Sequence, residues 1–180
     1  MELEVNEFKE RAERAENDPI LKLAALSMAI MAVFVAVVSL LGHRSHTEEL
    51  LYQNKVTDNW AYYQAKDIRQ HTYELFLDLI TVSEPANSSL AAQLKEKYGR
   101  EVSRYKGELT EIEAEARKLE KEVDLERRKA DRFDLGEAFL ETGLVIISIT
   151  LLVKRKLFWS VGLLIGLLGV AVATTGLWIN

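Results

Sequence analysis

The sequence predicts an all-α membrane protein: three transmembrane helices, with a long antiparallel coiled-coil hairpin between the first and the second. Apolar residues concentrate in three blocks, at 20–41, 135–153 and 157–179, whereas a soluble core would spread them along amphipathic helices. The stretch between the first two blocks is densely charged, yet apolar or small residues recur there with heptad spacing, which is typical of a coiled-coil seam. This second-arm seam comprises Tyr98, Val102, Tyr105, Leu109, Ile112, Ala116, Leu119, Val123, Glu126, Ala130 and Phe133.

The N-terminal segment, 1–19, has apolar residues at helical spacing among many charges. It is interpreted as an amphipathic helix on the membrane surface, with a solvated tail as the alternative. Asp18 then precedes Pro19, an arrangement that caps a helix and starts it without losing a backbone hydrogen bond.

The first transmembrane helix is predicted at 20–41, which spans ~33 Å at the rise of an α-helix. A signal peptide is disfavoured, since the apolar run is too long and the preceding segment carries acids as well as bases. Small residues repeat along this helix in steps of four and three, a spacing that permits close helix contact. The stripe comprises Ala25, Ala29, Ala32, Ala36 and Ser39.

The extramembrane hairpin is predicted at 42–135, with its tip near 83–89, because Pro85 cannot continue a helix and Asn87 or Ser88 can cap the next one. At its membrane-distal end, Leu75, Leu79 and Val82 of the first arm are expected to pair with Leu90, Leu94 and Tyr98 of the second. The predicted first-arm seam comprises Leu51, Asn54, Asp58, Ala61, Ala65, Ile68, Thr72, Leu75, Leu79 and Val82.

The closing pair of transmembrane helices is predicted at 136–153 and 157–179, on either side of the basic turn Lys154-Arg155-Lys156. Trp159 and Trp178 lie ~28 Å apart along the last helix, the separation of an aromatic belt at both interfaces. Small residues again repeat in steps of four and three, which indicates close packing within the subunit or between subunits. They are Gly162, Gly166, Gly169, Ala173 and Gly176.

Basic residues in short loops favour a cytoplasmic N-terminus with the hairpin on the outer side. The signals are the basic turn and the basic residues of the N-terminal segment. Basic residues close to the membrane at 127–132 of the hairpin oppose this orientation.

The stretch Asp58-Asn59-Trp60-Ala61-Tyr62-Tyr63-Gln64-Ala65-Lys66 resembles a motif of the domain of unknown function 4337 family, a family of bacterial membrane proteins. The likeness extends to the layout of nearly the whole chain. It implies a multi-pass protein of the bacterial inner membrane, and it brings no catalytic residue or substrate with it.

Two further clusters have competing interpretations. Trp60, Tyr62 and Tyr63 form an aromatic motif that is expected to pack against the other arm or a neighbouring subunit, with a ligand platform as the less favoured reading. His43 and His46 are one turn apart, but no third ligand is fixed by the sequence, so no metal site is predicted.

Glu137 and Glu141 indicate a candidate ion site. Only about 18 Å of uncharged helix separates Glu141 from the basic turn, so this carboxylate falls inside a ~30 Å apolar layer. With Asn54 and Asp58 of the first arm, the pair is interpreted either as a hydrated polar site for cations or as a boundary contact with headgroups.

These features predict a homo-oligomeric structural or interaction module whose partner is the lipid bilayer. A cation channel or proton-conducting pore is the alternative. The absence of cysteine and of a Gly-rich phosphate loop argues against an enzyme and against a cofactor. A net charge of -5 argues against a nucleic-acid partner.

Overall fold

The computed structural model describes residues 18–83 and 87–179, which are entirely helical in their regular structure and contain no strand. Residues 1–17 of the predicted N-terminal segment and residues 84–86 of the predicted tip lie outside this range. The described helices are α1 (Pro19–Val82), α2 (Ser88–Val153) and α3 (Lys156–Gly176).

Both long helices begin with the side-chain caps that the sequence predicts. The Ile20 N–H donates to the Asp18 carboxylate at 3.0 Å, and the Leu90 N–H donates to the side-chain oxygen of Asn87 at 3.1 Å. These acceptors satisfy backbone donors that have no partner within the first turn of a helix. Neither long helix ends where its sequence changes between apolar and charged. Gly42 lies at this change in α1, but a single glycine destabilises a helix by only about 1 kcal/mol.

A tight turn joins α2 to α3. Lys154 has a φ of 55° and its N–H donates to the Thr150 carbonyl at 2.8 Å, which ends α2. This left-handed conformation is about 1–2 kcal/mol less favourable for lysine than for glycine. Arg155 is extended, and α3 begins at the next residue.

The chain divides into two compact units. Of the described residues, the apolar unit contains those up to Thr47 and from Leu125 onward, and the charged unit contains those of Glu48–Asp124. All three helices include an 18-residue window that is long and apolar enough to cross a membrane. The mean hydropathies of these windows are 2.6 for α1, 1.8 for α2 and 2.2 for α3.

In the apolar unit, one face of each helix contributes to a common core. The inward face of α2 continues with nearly heptad spacing through Phe133, Leu140 and Ile147. Burial of side chains this size stabilises a fold by about 1.5–3 kcal/mol each in water, while dispersion contacts provide the gain in an apolar solvent. The core residues contributed by α1 and α3 are Ala24, Met31, Val38 and Ala173.

In the charged unit, the predicted second-arm seam is the inward face of α2. Val102, Tyr105, Leu109, Ala116 and Leu119 are all buried. The same register continues into the apolar unit, where the buried Glu126 carboxylate accepts a hydrogen bond from the Lys129 ammonium at 2.8 Å. This partner explains how a carboxylate is tolerated in a buried stripe.

The predicted first-arm seam is wrong, because its residues are exposed rather than buried. The face of α1 that meets α2 carries Val56, Tyr63, Gln70, Tyr73 and Leu77. Aromatic contacts stabilise the packing of this face on α2: Tyr73 and Phe76 stack on Tyr98 of α2 with centroid distances of 5.5 and 5.6 Å. Aromatic pairs of this kind contribute about 0.5–1.5 kcal/mol beyond the area that they bury.

The membrane-distal pairing expected for the first arm is therefore also wrong in its residues. Leu75, Leu79 and Val82 point away from α2, and Tyr73 and Phe76 take their place.

Candidate functional site

The glycines of α2 and those of α3 form a close helix contact in the apolar unit. A Cβ built on Gly143 would lie 2.7 Å from the Gly162 carbonyl oxygen, and one built on Gly169 would lie 2.7 Å from the Gly136 carbonyl oxygen. Real Cβ atoms do not approach backbone atoms so closely. The two backbones are therefore in direct contact, which requires glycine at these positions.

Met31 of α1 completes this contact. Its terminal methyl group occupies the space that both Gly143 and Gly166 leave by having no side chain. Methionine suits such a position because its unbranched side chain adapts to irregular gaps. Close to this point, the Trp159 indole N–H donates to the Ser27 hydroxyl at 3.1 Å and connects α3 to α1.

The two predicted small-residue stripes have different places in the structure. The α3 stripe is buried at Gly162, Gly166, Gly169 and Ala173, and it packs on α2 and on Met31. The α1 stripe is exposed at its four alanines, and Ser39 at its end is half-buried. The two stripes therefore do not pack on each other within the subunit. The exposed residues are Ala25, Ala29, Ala32 and Ala36.

The charged unit also leaves one regular apolar stripe exposed. We call it the outward stripe, and it consists of Ile68, Leu75, Leu79 and Val82 of α1. Their exposed fractions are 65, 63, 61 and 83 %, although their spacing is that of a coiled-coil seam. Single exposed apolar residues are common, but a heptad-spaced row indicates an interaction surface.

A lysine at the contact between the helices of the charged unit is held by a carboxylate and an aromatic ring. The Lys66 ammonium donates to the Glu108 carboxylate and lies 4.8 Å from the centre of the Tyr62 ring. The hydrogen bond with Glu108 raises the pKa of Lys66, and the same bond lowers the pKa of Glu108. The Lys66 stem thus packs between the helices while its charge is matched.

A second carboxylate, on the other helix, is matched in a similar way. Hydrogen bonds from Gln70 and His71 lower the pKa of Glu74, and Lys106 of α2 lies 3.4 Å from its carboxylate. The two clusters together link α1 and α2 by charge as well as by aromatic stacking.

The aromatic motif is divided between the interface and the surface. The Trp60 indole N–H donates to the Glu120 carboxylate of α2 at 3.0 Å, and the Trp60 and Tyr63 rings meet edge to face at 5.5 Å. Tyr62 is exposed. Trp60 and Tyr63 are therefore used for contact between the two helices of the charged unit.

The two histidines have separate partners. His43 Nδ1 lies 2.8 Å from the Ser39 carbonyl oxygen of its own helix, and His46 Nε2 lies 3.0 Å from the Asp134 carboxylate of α2. Within residues 18–83 and 87–179, no three His, Asp or Glu side chains are grouped so that they could hold a metal ion.

The four residues of the predicted ion site lie in different units. Asn54 and Asp58 are exposed in the charged unit. In the apolar unit, Glu137 is half-buried and Glu141 is exposed.

Sequence reasoning missed three parts of the helix interface: Met31, the Ser27–Trp159 hydrogen bond, and the α2 glycines. Gly136 and Gly143 are one heptad apart, and this spacing was the available signal. No comparable pattern marks Met31, because α1 is apolar on every side at that level.

These contacts define a helical protein with three candidate membrane spans, held together by a glycine-lined contact in one unit and by aromatic and ionic contacts in the other. The chain belongs to the family described as Domain of unknown function (DUF4337), which it matches over residues 20–179. The resemblance read from the motif at 58–66 is thereby confirmed. Neither the curated proteins nor the solved structures include a match to this chain.

Proposed function

We propose that this is a multi-pass protein of the bacterial inner membrane that self-associates and acts as a structural or interaction module. The apolar unit exposes large apolar side chains on all three helices, such as Leu26, Leu152 and Leu164. A surface of this kind suits hydrocarbon, while in water it would aggregate. The resemblance of the motif at 58–66 implies the same location.

The charged unit forms the extramembrane part in this proposal, as an antiparallel coiled-coil hairpin. Support comes from the order of the contacts between its helices. Trp60 bonds to Glu120, whereas Tyr73, further along α1, stacks on Tyr98, which is further back along α2. Partners that progress in opposite directions along two helices are those of an antiparallel pair.

Self-association is inferred from the outward stripe. α1 packs on α2 through another face, so the four apolar residues of the outward stripe take no part in the contact between these two helices. A second copy of the chain supplies an identical stripe, and burial of two such rows is the usual driving force for a coiled-coil contact between subunits.

Cysteine scanning tests this interface, because the chain has no cysteine of its own. Single cysteines at Leu75, Leu79 and Val82 are expected to give crosslinked dimers in membranes treated with a short bismaleimide. Cysteines at Leu77 and Ile80, which lie on the side of α1 that faces α2, serve as controls and are expected to give little crosslinking. Equal crosslinking at all five positions would mean random collision, and crosslinking at the control positions alone would contradict the proposed face.

The exposed Ala25–Ala36 stripe provides a second contact between copies, in the apolar unit. Small residues at this spacing let two helices approach within a bilayer, where apolar surface alone provides no driving force. Leucine at both Ala29 and Ala32 is expected to weaken association, whereas leucine at the exposed Val33 and Val37, which lie off the stripe, is the control. An unchanged oligomer with the Ala29 and Ala32 changes would remove this stripe from the interface.

For orientation, we propose a cytoplasmic N-terminus and basic turn, with the charged unit on the outer side. The three consecutive basic residues of the turn stand in a loop short enough for the positive-inside rule to apply. The charged unit is a long insertion, for which the same rule has little weight.

One observation favours a second function, a cation channel. Glu141 is exposed within an apolar stretch of α2, and no hydrogen-bond or ion-pair partner contacts it among the described residues. An ionised carboxylate at that depth requires water or a cation, which an oligomeric pore would supply. Glutamine at both Glu137 and Glu141 is then expected to change cation selectivity in planar bilayers without changing the oligomer. No conductance from the wild-type oligomer would exclude this function.

A further inference from the structure

The apolar unit contains a groove between α1 and α3 that no part of the described chain fills. Its volume is about 130 Å³. Ile30 and Phe34 of α1 line one side, and Leu163 and Leu167 of α3 line the other. Met31, whose methyl group covers Gly166, also belongs to the lining. Its lining is almost entirely apolar, so an occupant has to be apolar along this length.

A polar contact marks the end of the groove towards the start of α3. There the Trp159 indole N–H donates to the Ser27 hydroxyl, and Ser27 itself belongs to the lining. Trp159 is typical of the interface between hydrocarbon and headgroups. This end therefore corresponds to the membrane surface, and the groove runs from there into the hydrocarbon.

Three cations lie just beyond that end. Lys154, Arg155 and Lys156 are exposed, and none of them has an ion pair with a carboxylate in the part of the chain that the structure describes. The first turn of α3 holds no acidic residue, and the side chain of Arg155 makes no capping hydrogen bond. The surface at the mouth of the groove is thus positively charged without an internal counterion.

Local folding preferences do not explain these three residues. A φ of 55° at Lys154 favours glycine, and the position before a helix favours Asp, Ser, Thr or Asn over arginine. A cation after the end of α2 does suit the negative end of that helix, but Arg155 and Lys156 stand at the positive end of α3. The positive-inside rule accounts for a basic loop, and at the mouth of an apolar groove the same charge also suits an anionic lipid headgroup.

We propose that the groove holds an acyl chain of an anionic phospholipid whose phosphate is bound by Lys154, Arg155 and Lys156. This inference rests on the membrane insertion proposed above. The spacing fits: Leu163 lies ~10 Å and Val170 ~21 Å along α3 from Lys156. The groove therefore begins below the headgroups and ends within the hydrocarbon layer of ~30 Å. Basic pockets between transmembrane helices are established sites for anionic headgroups.

Binding of defined lipids to the delipidated, purified full-length protein tests the proposal. Native mass spectrometry would compare palmitoyl-oleoyl phosphatidylglycerol with the matching phosphatidylcholine. The triple variant Lys154→Gly, Arg155→Gln, Lys156→Gln removes the charges and keeps a residue that tolerates the positive φ. Its affinity for phosphatidylglycerol is expected to fall about 100-fold, since each basic residue near an anionic lipid contributes about fivefold.

A second pair of variants tests the groove itself. Leu167→Trp fills the groove, while Leu164→Trp places the same ring outside it at a residue of equal exposure, 63 % against 62 % for Leu167. We expect Leu167→Trp to weaken phosphatidylglycerol binding and Leu164→Trp to leave it unchanged, with helicity by circular dichroism preserved in both.

Two results would overturn the proposal: equal binding of the two lipids by the wild type, and full binding by Leu167→Trp. If Leu167→Trp keeps full lipid binding but loses oligomer mass, the groove belongs to a second copy of the chain. Extraction of the wild-type chain from membranes by alkaline carbonate would instead refute membrane insertion, on which the proposal depends.

Discussion

Replacing Gly143 by alanine is the sharpest test of the glycine contact between α2 and α3. The added methyl group would lie 2.7 Å from the Gly162 carbonyl oxygen and 2.9 Å from the Gly166 nitrogen. Ordinary van der Waals contact begins at 3.4 Å. Both neighbours are backbone atoms of a helix, which cannot rotate away as a side chain can. The helices therefore have to separate by several tenths of an ångström.

The expected magnitude combines two opposing effects. Overpacking of a well-packed contact destabilises a fold by about 1–3 kcal/mol. Alanine is favoured over glycine inside a helix by about 1 kcal/mol. Gly107→Ala isolates this second effect, because no atom lies within 4 Å of a Cβ at Gly107. The difference between the two variants is therefore the steric effect alone, with Gly143→Ala less stable by about 1–3 kcal/mol.

Reversible unfolding in mixed micelles, followed by circular dichroism, would measure this difference. Gly107→Ala is expected to match or exceed the wild type in stability, and Gly143→Ala is expected to unfold at a lower fraction of denaturing detergent. Equal stability of the two variants would mean that α2 and α3 are not in backbone contact at this level.

Three other predictions concern separate parts of the chain. Gly166→Ala should destabilise less than Gly143→Ala in the same unfolding assay, because its methyl group meets the flexible end of Met31 rather than backbone; a larger loss would contradict this. Glu108 has a pKa below its ordinary value of 4.5, so its ion pair with Lys66 stabilises the charged unit above that pH and is lost as pH falls through the lowered value. Glu108→Gln should accordingly be less stable at neutral pH and lose less stability on acidification, as monitored by helicity, and a parallel acid profile would refute the role of this pair. A single cysteine at the exposed Ser88 should react with an impermeant maleimide in intact cells, whereas reaction only after lysis would reverse the proposed orientation.

The faces of α2 could be read from the sequence, and those of α1 could not. In α2 the apolar and small residues occupy one stripe, and charged residues cover the remaining surface, so periodicity identifies the buried side. α1 carries two candidate faces in the charged unit. The more apolar one, with Leu75 and Leu79, is outward, whereas the inward one includes Lys66 and Gln70.

The physical reason lies in the properties of the side chains on the inward face. The aliphatic part of Lys66 packs between helices while its ammonium reaches Glu108. A hydrophobicity pattern counts such a residue as polar and assigns it to solvent.

A similar ambiguity affects the small-residue stripe of α1. The buried Ala24, Met31 and Val38 have the same heptad spacing as the exposed stripe that starts at Ala25, one position later. The segment is apolar on both sides, so only the position of the partner glycines decides which stripe is buried. The α3 stripe was identifiable because its glycines have no other reason to recur at that spacing.

The mass of the protein in native nanodiscs tests self-association most directly. The wild type is expected to have a protein mass that is a multiple of 20.5 kDa. Leu75→Gln combined with Leu79→Gln should shift it towards a single subunit, whereas glutamine at the exposed Asp78 and Thr81, off the outward stripe, should not. A wild-type mass of one subunit, across the range of protein-to-nanodisc ratios, would contradict the proposed function.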